Sequence, residues 1–166
     1  AGAGAGQRRT HPPPPPAPAG RLALTDSTHG DEVTVDPDLP LVRRSREFAA
    51  PPAKVLRAHT DPELGVQWTG PRRHEMRIDH YDCRTGGSYR YVHASDGKEF
   101  GFHGSFHEVR PSELIVQTFT FERTPDGVAL ERLIFEDLGA GSTRLTDTCL
   151  VDSIAGRYDC VLIRMR

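Results

Sequence analysis

From His74 onward the sequence is cut at regular intervals by turn-forming residues: Gly86-Gly87, Asp96-Gly97, Arg110-Pro111-Ser112, Pro125-Asp126-Gly127 and Gly139-Ala140-Gly141. Glycine, proline and aspartate supply the backbone angles that reverse a chain, and Asp-Gly between two apolar runs is a hairpin signal. The segments between these breaks are rich in aromatic and β-branched residues and read as strands. They predict strands over 74–82, 88–94, 100–110, 113–123, 128–138 and 143–153. Six consecutive strands joined by tight turns can only form an antiparallel meander, and a sheet of that width must curl and cover one face.

Parity identifies the covered face, because successive side chains alternate across a strand. Tyr89 and Tyr91 share one side of their strand; Phe100, Phe102 and Phe106 share one side of the next; Ile115, Phe119 and Phe121 share one side of the third. The opposite sides carry Ser88 and Arg90, then His103, Ser105 and His107, then Thr118 and Thr120. One sheet face is therefore aromatic and the other polar, and the aromatic one is expected to be concave. Ahead of the meander, Leu41 to Phe48 reads as a strand closing an edge, and Pro51-Pro52 opens a helix through about His59. Thr60 and Glu63 have capping-box spacing and begin a second short helix, on which Leu64 and Trp68 share a face.

Residues 1–40 have a different character. AGAGAGQRRTHPPPPPAPAG cannot bury a core and predicts a disordered or polyproline tail, and residues 21–40 stay polar and acidic. Residues 41–166 form the expected folded domain. With a formal net charge of -2 there is no electrostatic case for nucleic acid. No apolar run approaches the roughly 18 residues of a membrane span, and no secretory signal is legible. The cysteines Cys83, Cys149 and Cys160 are widely spaced and form no CxxC pair, which favours a reduced, cytoplasmic setting. A first residue Ala1 in place of Met reads as a piece of a longer chain.

Three stretches carry a resemblance to a family: REFAAPPAKVLRAHTDPELGVQWTGP, DCRTGGSYRYVHASDGKEFGFHGSFHEVRPSELIVQTFTFE and FEDLGAGSTRLTDT. Together they resemble bacterial stand-alone domains of the SRPBCC (START-like) superfamily, most closely the branch called activator of heat-shock-protein-90 ATPase homologue-like. The resemblance spans about residues 41–153 and implies an α+β helix-grip fold, in which a curved antiparallel sheet grips a long C-terminal helix across an apolar cavity. This chain continues past the last strand only as SIAGRYDCVLIRMR. Tyr158, Val161, Leu162 and Met165 keep helical spacing there, but at 1.5 Å per residue they span about 12 Å, a shortened grip.

Several residue patterns invite a chemical reading. His103 and His107 sit i and i+4, yet on a strand those positions are about 13 Å apart, whereas two zinc ligands must lie within about 4 Å of each other. They read as solvent-facing histidines, and no metal or cofactor is expected. Asp79, Asp82, Glu108 and Glu113 are the carboxylates available for acid/base work. By parity Glu108 falls with Phe102 and Phe106, making it the expected polar group inside the cup. Cys83 and Cys149 read as small core residues. The expected site is thus a cavity lined by Trp68, Tyr89, Tyr91, Phe102, Phe106, Glu108, Phe119 and Phe121, with no catalytic residue assigned. The expected function is binding of a small hydrophobic molecule. A cyclase- or hydrolase-type enzyme using the same cavity is the first alternative, and a chaperone-associated interaction module is the second.

Overall fold

A computed structural model describes residues 22–26, 31–67, 75–154 and 156 of the chain. Among the described residues, nine strands form one antiparallel sheet. They are β1 (Leu22–Asp26), β2 (Asp31–Val35), β3 (Leu41–Phe48), β4 (Glu75–Tyr81), β5 (Ser88–Ser95), β6 (Lys98–Arg110), β7 (Leu114–Phe121), β8 (Ala129–Gly139) and β9 (Ser142–Leu150), in the order β1-β2-β3-β9-β8-β7-β6-β5-β4. The helices described between β3 and β4 are α1 (Pro52–Thr60) and α2 (Pro62–Gly65).

The meander over β4–β9 follows the turn punctuation. At the β5–β6 hairpin both Asp96 (φ 51°) and Gly97 (φ 71°) are left-handed, the backbone that a two-residue turn needs if its twist is to match the strands. The first expected strand, β3, is not an edge. It pairs along its length with the last strand, β9, from Leu41↔Leu150 to Phe48↔Thr143, and on its other side with β2. The described sheet accordingly reaches N-terminal of the Leu41 boundary. Val35 pairs with Val42 across β2 and β3, and Val33 and Val42 are both buried in the core.

Proline opens α1 as expected, with Pro51 as cap and Pro52 in the first turn. The second cap falls one residue later than the capping-box reading. Thr60 still belongs to α1, and the Asp61 carboxylate accepts the Glu63 N–H at 3.1 Å. An aspartate accepts such a bond as well as a threonine does, and Pro62 at the first helical position forces the break there. Helix α1 lies across β8 and β9. Val55 enters the core, the His59 ring meets Phe135 edge-on at 5.5 Å, and the Thr143 hydroxyl donates to the Ala50 carbonyl at 2.6 Å. The core thus sits on one inner face of the sheet, the face that carries Phe102, Phe106, Phe119, Leu133, Phe135 and Leu145. No helix among the described residues is long and apolar enough to cross a membrane. The segment after Ser153, with Tyr158, Val161, Leu162 and Met165, lies outside the described residues apart from Ile154 and Gly156, and the expected final helix with it.

Candidate functional site

Strand pairing brings the aromatic residues of β5, β6 and β7 into one wall. Tyr91 stands directly opposite Phe102, and Phe102 opposite Phe121. Side chains opposite each other on one face touch, and here the rings stack. Centroids are 5.3 Å apart for Tyr91–Phe102, 5.0 Å for Phe102–Phe121 and 5.4 Å for Phe102–Phe119, with interplanar angles of 29°, 23° and 26°. Tyr89 lies parallel to Tyr91 at 6.0 Å and tilts onto Phe106 at 5.2 Å. The six aromatic residues nominated on these strands are therefore contiguous. All are buried except Phe121, which is half-buried. Trp68 lies outside the described residues.

Two more rings, Tyr81 and His93, join the wall. Tyr81 packs edge-on against Phe106 at 5.7 Å and donates its hydroxyl to the His59 carbonyl at 2.6 Å, tying β4 to α1. His93 is buried and stands edge-on to Tyr91 and Phe102 at 5.3 and 5.6 Å. Parity could have found His93, two residues beyond Tyr91 on the same side.

Gly104 lets the wall close. The β6–β7 register runs through His103↔Thr120 and resumes at Phe106↔Gln117. In the gap the Ser105 N–H donates to the Thr118 hydroxyl at 3.0 Å, and the Thr118 carbonyl accepts the Tyr89 hydroxyl at 2.8 Å. Tyr89 reaches that carbonyl by lying over Gly104, where a Cβ would sit 2.0 Å from the Thr118 oxygen and 2.6 Å from the tyrosine hydroxyl. Only glycine leaves that space.

Glu108 is not part of the wall. A register shift between Phe106 and Glu108 inserts one residue into β6, so that Glu108 pairs with Val116 and Val109 with Ile115. A bulge reverses the parity beyond it. Val109 takes the inner position against the core, and Glu108 turns to the outer face, where its side chain is 38% exposed and ion-paired to Arg110 at 3.3 Å. The expectation of Glu108 inside the cup is corrected by that single extra residue.

The other nominated carboxylates also meet arginines. Asp79 is ion-paired to Arg90 and Arg77, Asp82 to Arg84 at 2.9 Å, and Glu113 to Arg110 at 4.0 Å. Arg90 also makes two bonds to Glu122, at 2.7 and 2.9 Å. These bonds hold the Glu122 carboxyl below its ordinary pKa and the Arg90 guanidinium above its own. His103 and His107 are exposed on this outer face. Cys83 is half-buried at the core margin, and burial followed by the neighbouring Asp82 charge pushes its thiol up to about 11. A thiol that stays protonated at neutral pH is a poor nucleophile.

The polar groups that do share the inner face lie on β7, β8, β9 and β3. Glu131 is 1% exposed and stands opposite Gln117, whose amide donates to its carboxylate at 2.8 Å. Asp147, one diagonal step away on β9, stands opposite Arg44 and accepts its guanidinium at 2.6 Å. With Thr143 these residues form a polar band beside the aromatic wall, on the same side as Leu133, Phe135, Leu145 and Cys149. The sequence reading missed the band because its parity stopped at β7. Continued along β8 and β9, the same alternation places Glu131 with Leu133 and Phe135, and Asp147 with Leu145 and Cys149.

Comparison with known proteins agrees with this architecture. A crystal structure of a protein from Chromobacterium violaceum superposes with a TM-score of 0.67 at 26% identity, covering 74% of this chain and 88% of that one. A crystal structure from Mycobacterium smegmatis gives 0.69 at 22% identity over 79% and 84%, and a solution structure from Arthrobacter aurescens 0.70 at 20% identity over 78% and 80%. Among curated proteins none matches the chain. The family described as activator of Hsp90 ATPase homolog 1-like protein matches residues 49–157, which span α1, α2 and β4–β9. With about two-thirds of its length matched, the chain belongs to this family, within the SRPBCC superfamily.

Proposed function

We propose that this chain binds a small, largely apolar molecule on the inner face of its sheet, as a helix-grip domain without a defined chemistry of its own. One observation carries the reading: Tyr89, Tyr91, Phe102, Phe106, Phe119 and Phe121 form a continuous ring-on-ring wall beside a band of buried polar side chains. A site of that composition, mostly apolar with a few placed polar groups, suits a small ligand whose body stacks and whose functional group is oriented. Family membership is in keeping with a ligand-binding type of domain. The enzymatic alternative drew its acid/base on Glu108 or a neighbouring carboxylate; Glu108 lies on the outer face beside Arg110, and Asp79, Asp82 and Glu113 are likewise ion-paired to arginines. The experiment is a titration of the chain with Nile red, a neutral apolar dye, on a sample whose near-UV circular dichroism shows fixed aromatic signals. Saturable binding weakened by Phe102→Leu is the expected result. A folded sample that never saturates would sink the proposal.

A further inference from the structure

The aromatic wall ends at a fixed cation. Beyond Phe102 the stack continues through Phe121, at 5.0 Å, to Phe100, a further 6.4 Å away at 24°. The Arg123 guanidinium lies over the Phe100 ring, 4.4 Å from its centroid. Arg123 stands just past the end of β7, where the Glu122 N–H donates to the Gly101 carbonyl at 2.9 Å and ties the chain to β6. From there its Nη2 donates to the Glu99 carbonyl at 3.0 Å. A cation stacked on a ring and bonded to backbone is held in one place without being neutralised.

This end of the wall reaches the surface. Phe102 is buried, Phe100 and Phe121 are half-buried, and Arg123 is exposed. Among the described residues, a molecule meets these two rings and this charge from solvent. A guanidinium that stacks by its face keeps its five N–H donors around its edge, and the Glu99 carbonyl takes one of them. The acids nearest in sequence are engaged elsewhere: Glu122 accepts two bonds from Arg90, at 2.7 and 2.9 Å, and Glu99 is ion-paired to Arg77 at 4.0 Å. Among the described residues no carboxylate is ion-paired to Arg123. With a formal net charge of -2 the chain as a whole does not attract anions, so any preference for one must be local.

We infer that Arg123 is the charged end of the ligand site, and that the ligand is an amphipathic acid, with an apolar body against Phe100 and Phe121 and an anionic group on the edge of the guanidinium. This rests on the proposed ligand-binding function and adds to it the class of head group selected. The fork of donors suits a carboxylate, which can accept two parallel bonds from it.

The test displaces Nile red at pH 8 with decanoate and with 1-decanol, which share a chain length and differ in the charge of the head group. The quantity read is the ratio of the two half-displacing concentrations, compared between the wild type and its variants. An exposed ion pair favours the anion by about fivefold, so Arg123→Gln should shift the ratio by about fivefold against decanoate, and Arg123→Lys, which keeps the charge, should retain most of the preference. Added salt should weaken decanoate in the wild type and leave its affinity for Arg123→Gln unchanged. If Arg123 only supports Phe100, its loss weakens both probes alike; a ratio unchanged in Arg123→Gln overturns the inference and leaves the binding function standing. A preference lost as fully in Arg123→Lys as in Arg123→Gln overturns the role of the charge. Absence of any Nile red binding by the folded wild type overturns the binding function itself and the inference with it.

Discussion

Replacing Gly104 with alanine tests how the aromatic wall is held in place. The new Cβ would sit 2.0 Å from the Thr118 carbonyl oxygen and 2.6 Å from the Tyr89 hydroxyl, far inside contact distance, and one of those neighbours is backbone. Either β6 and β7 separate or the tyrosine ring lifts off the strand. Forcing a methyl into packed structure costs about 1–3 kcal/mol, and loss of the Tyr89–Thr118 hydrogen bond adds about 1 kcal/mol. The reduced freedom of the unfolded chain returns roughly 0.5 kcal/mol. A net loss of about 1.5–3.5 kcal/mol is therefore expected, read by urea unfolding followed through near-UV circular dichroism. The mechanism makes a sharper demand. Tyr89→Phe alone should cost about 1 kcal/mol, but in the Gly104→Ala background, where the bond is already broken, it should cost close to nothing. The two substitutions should fall short of additivity by about 1 kcal/mol. Strict additivity, or a Gly104→Ala variant as stable as the wild type, would refute the account of how Tyr89 is seated.

Glu108→Gln should leave Nile red affinity unchanged within twofold, because the bulge places Glu108 on the outer face; a large loss of affinity would return it to the site. For the buried Arg44–Asp147 pair, Arg44→Ala or Asp147→Ala alone should cost about 2–4 kcal/mol in urea unfolding, since each leaves a charge in the core, whereas Arg44→Met combined with Asp147→Leu should come out near neutral. Cys83, with its thiol raised to about 11, should react slowly with iodoacetamide at neutral pH and accelerate only in strongly alkaline buffer, as followed by peptide mapping; rapid neutral labelling would contradict its burial. Glu122 is held below its ordinary value by Arg90, so its stabilising contribution is present above the unfolded carboxylate value and lost as pH falls through the lower folded one. The stability gap between wild type and Glu122→Gln should therefore close in acid, and a gap that widened there would contradict the pairing.

How far the sequence reaches into this fold depends on whether the signal is local. Turn chemistry is local, and the breaks at Asp96-Gly97, Arg110-Pro111 and Gly139-Ala140-Gly141 place the ends of β5–β9 within a few residues of where they lie. Alternation is nearly as local, which is why Tyr89, Tyr91, Phe102, Phe106, Phe119 and Phe121 could be assembled on one side before any pairing was known. It fails at Glu108 because a bulge is decided between strands: the extra residue in β6 is defined only against β7. Partner choice is likewise non-local. Nothing within Leu41–Phe48 says that it pairs with β9 rather than lying at an edge. Strand β2, DEVTV, carries just two apolar residues among acids and reads as tail until Val35 is set against Val42. Glu131 and Asp147 were legible by parity, but a charge on a strand is ordinarily a solvent-facing residue, and that expectation outweighs alternation until burial is seen.

The inner face is divided in a way that stability alone does not explain. Across β5, β6 and β7 it is aromatic, and each added ring improves the core. Across β8, β9 and β3 the same side carries Glu131, Asp147, Arg44 and Thr143 at positions flanked by Leu133, Phe135, Leu145 and Val42. Buried ion pairs recover their desolvation cost only with good geometry, and apolar residues of the same volume commonly serve the fold as well or better, by about 1–4 kcal/mol. Thr143 has a structural use, anchoring α1 through Ala50. Register does not call for Glu131 and Asp147, because the alternation of β8 and β9 already fixes which side is buried. Both carboxylates are held within the sheet, Glu131 by the Gln117 amide and Asp147 by the Arg44 guanidinium, so that a molecule bound as proposed on the aromatic wall would lie beside fixed polar groups as well as rings.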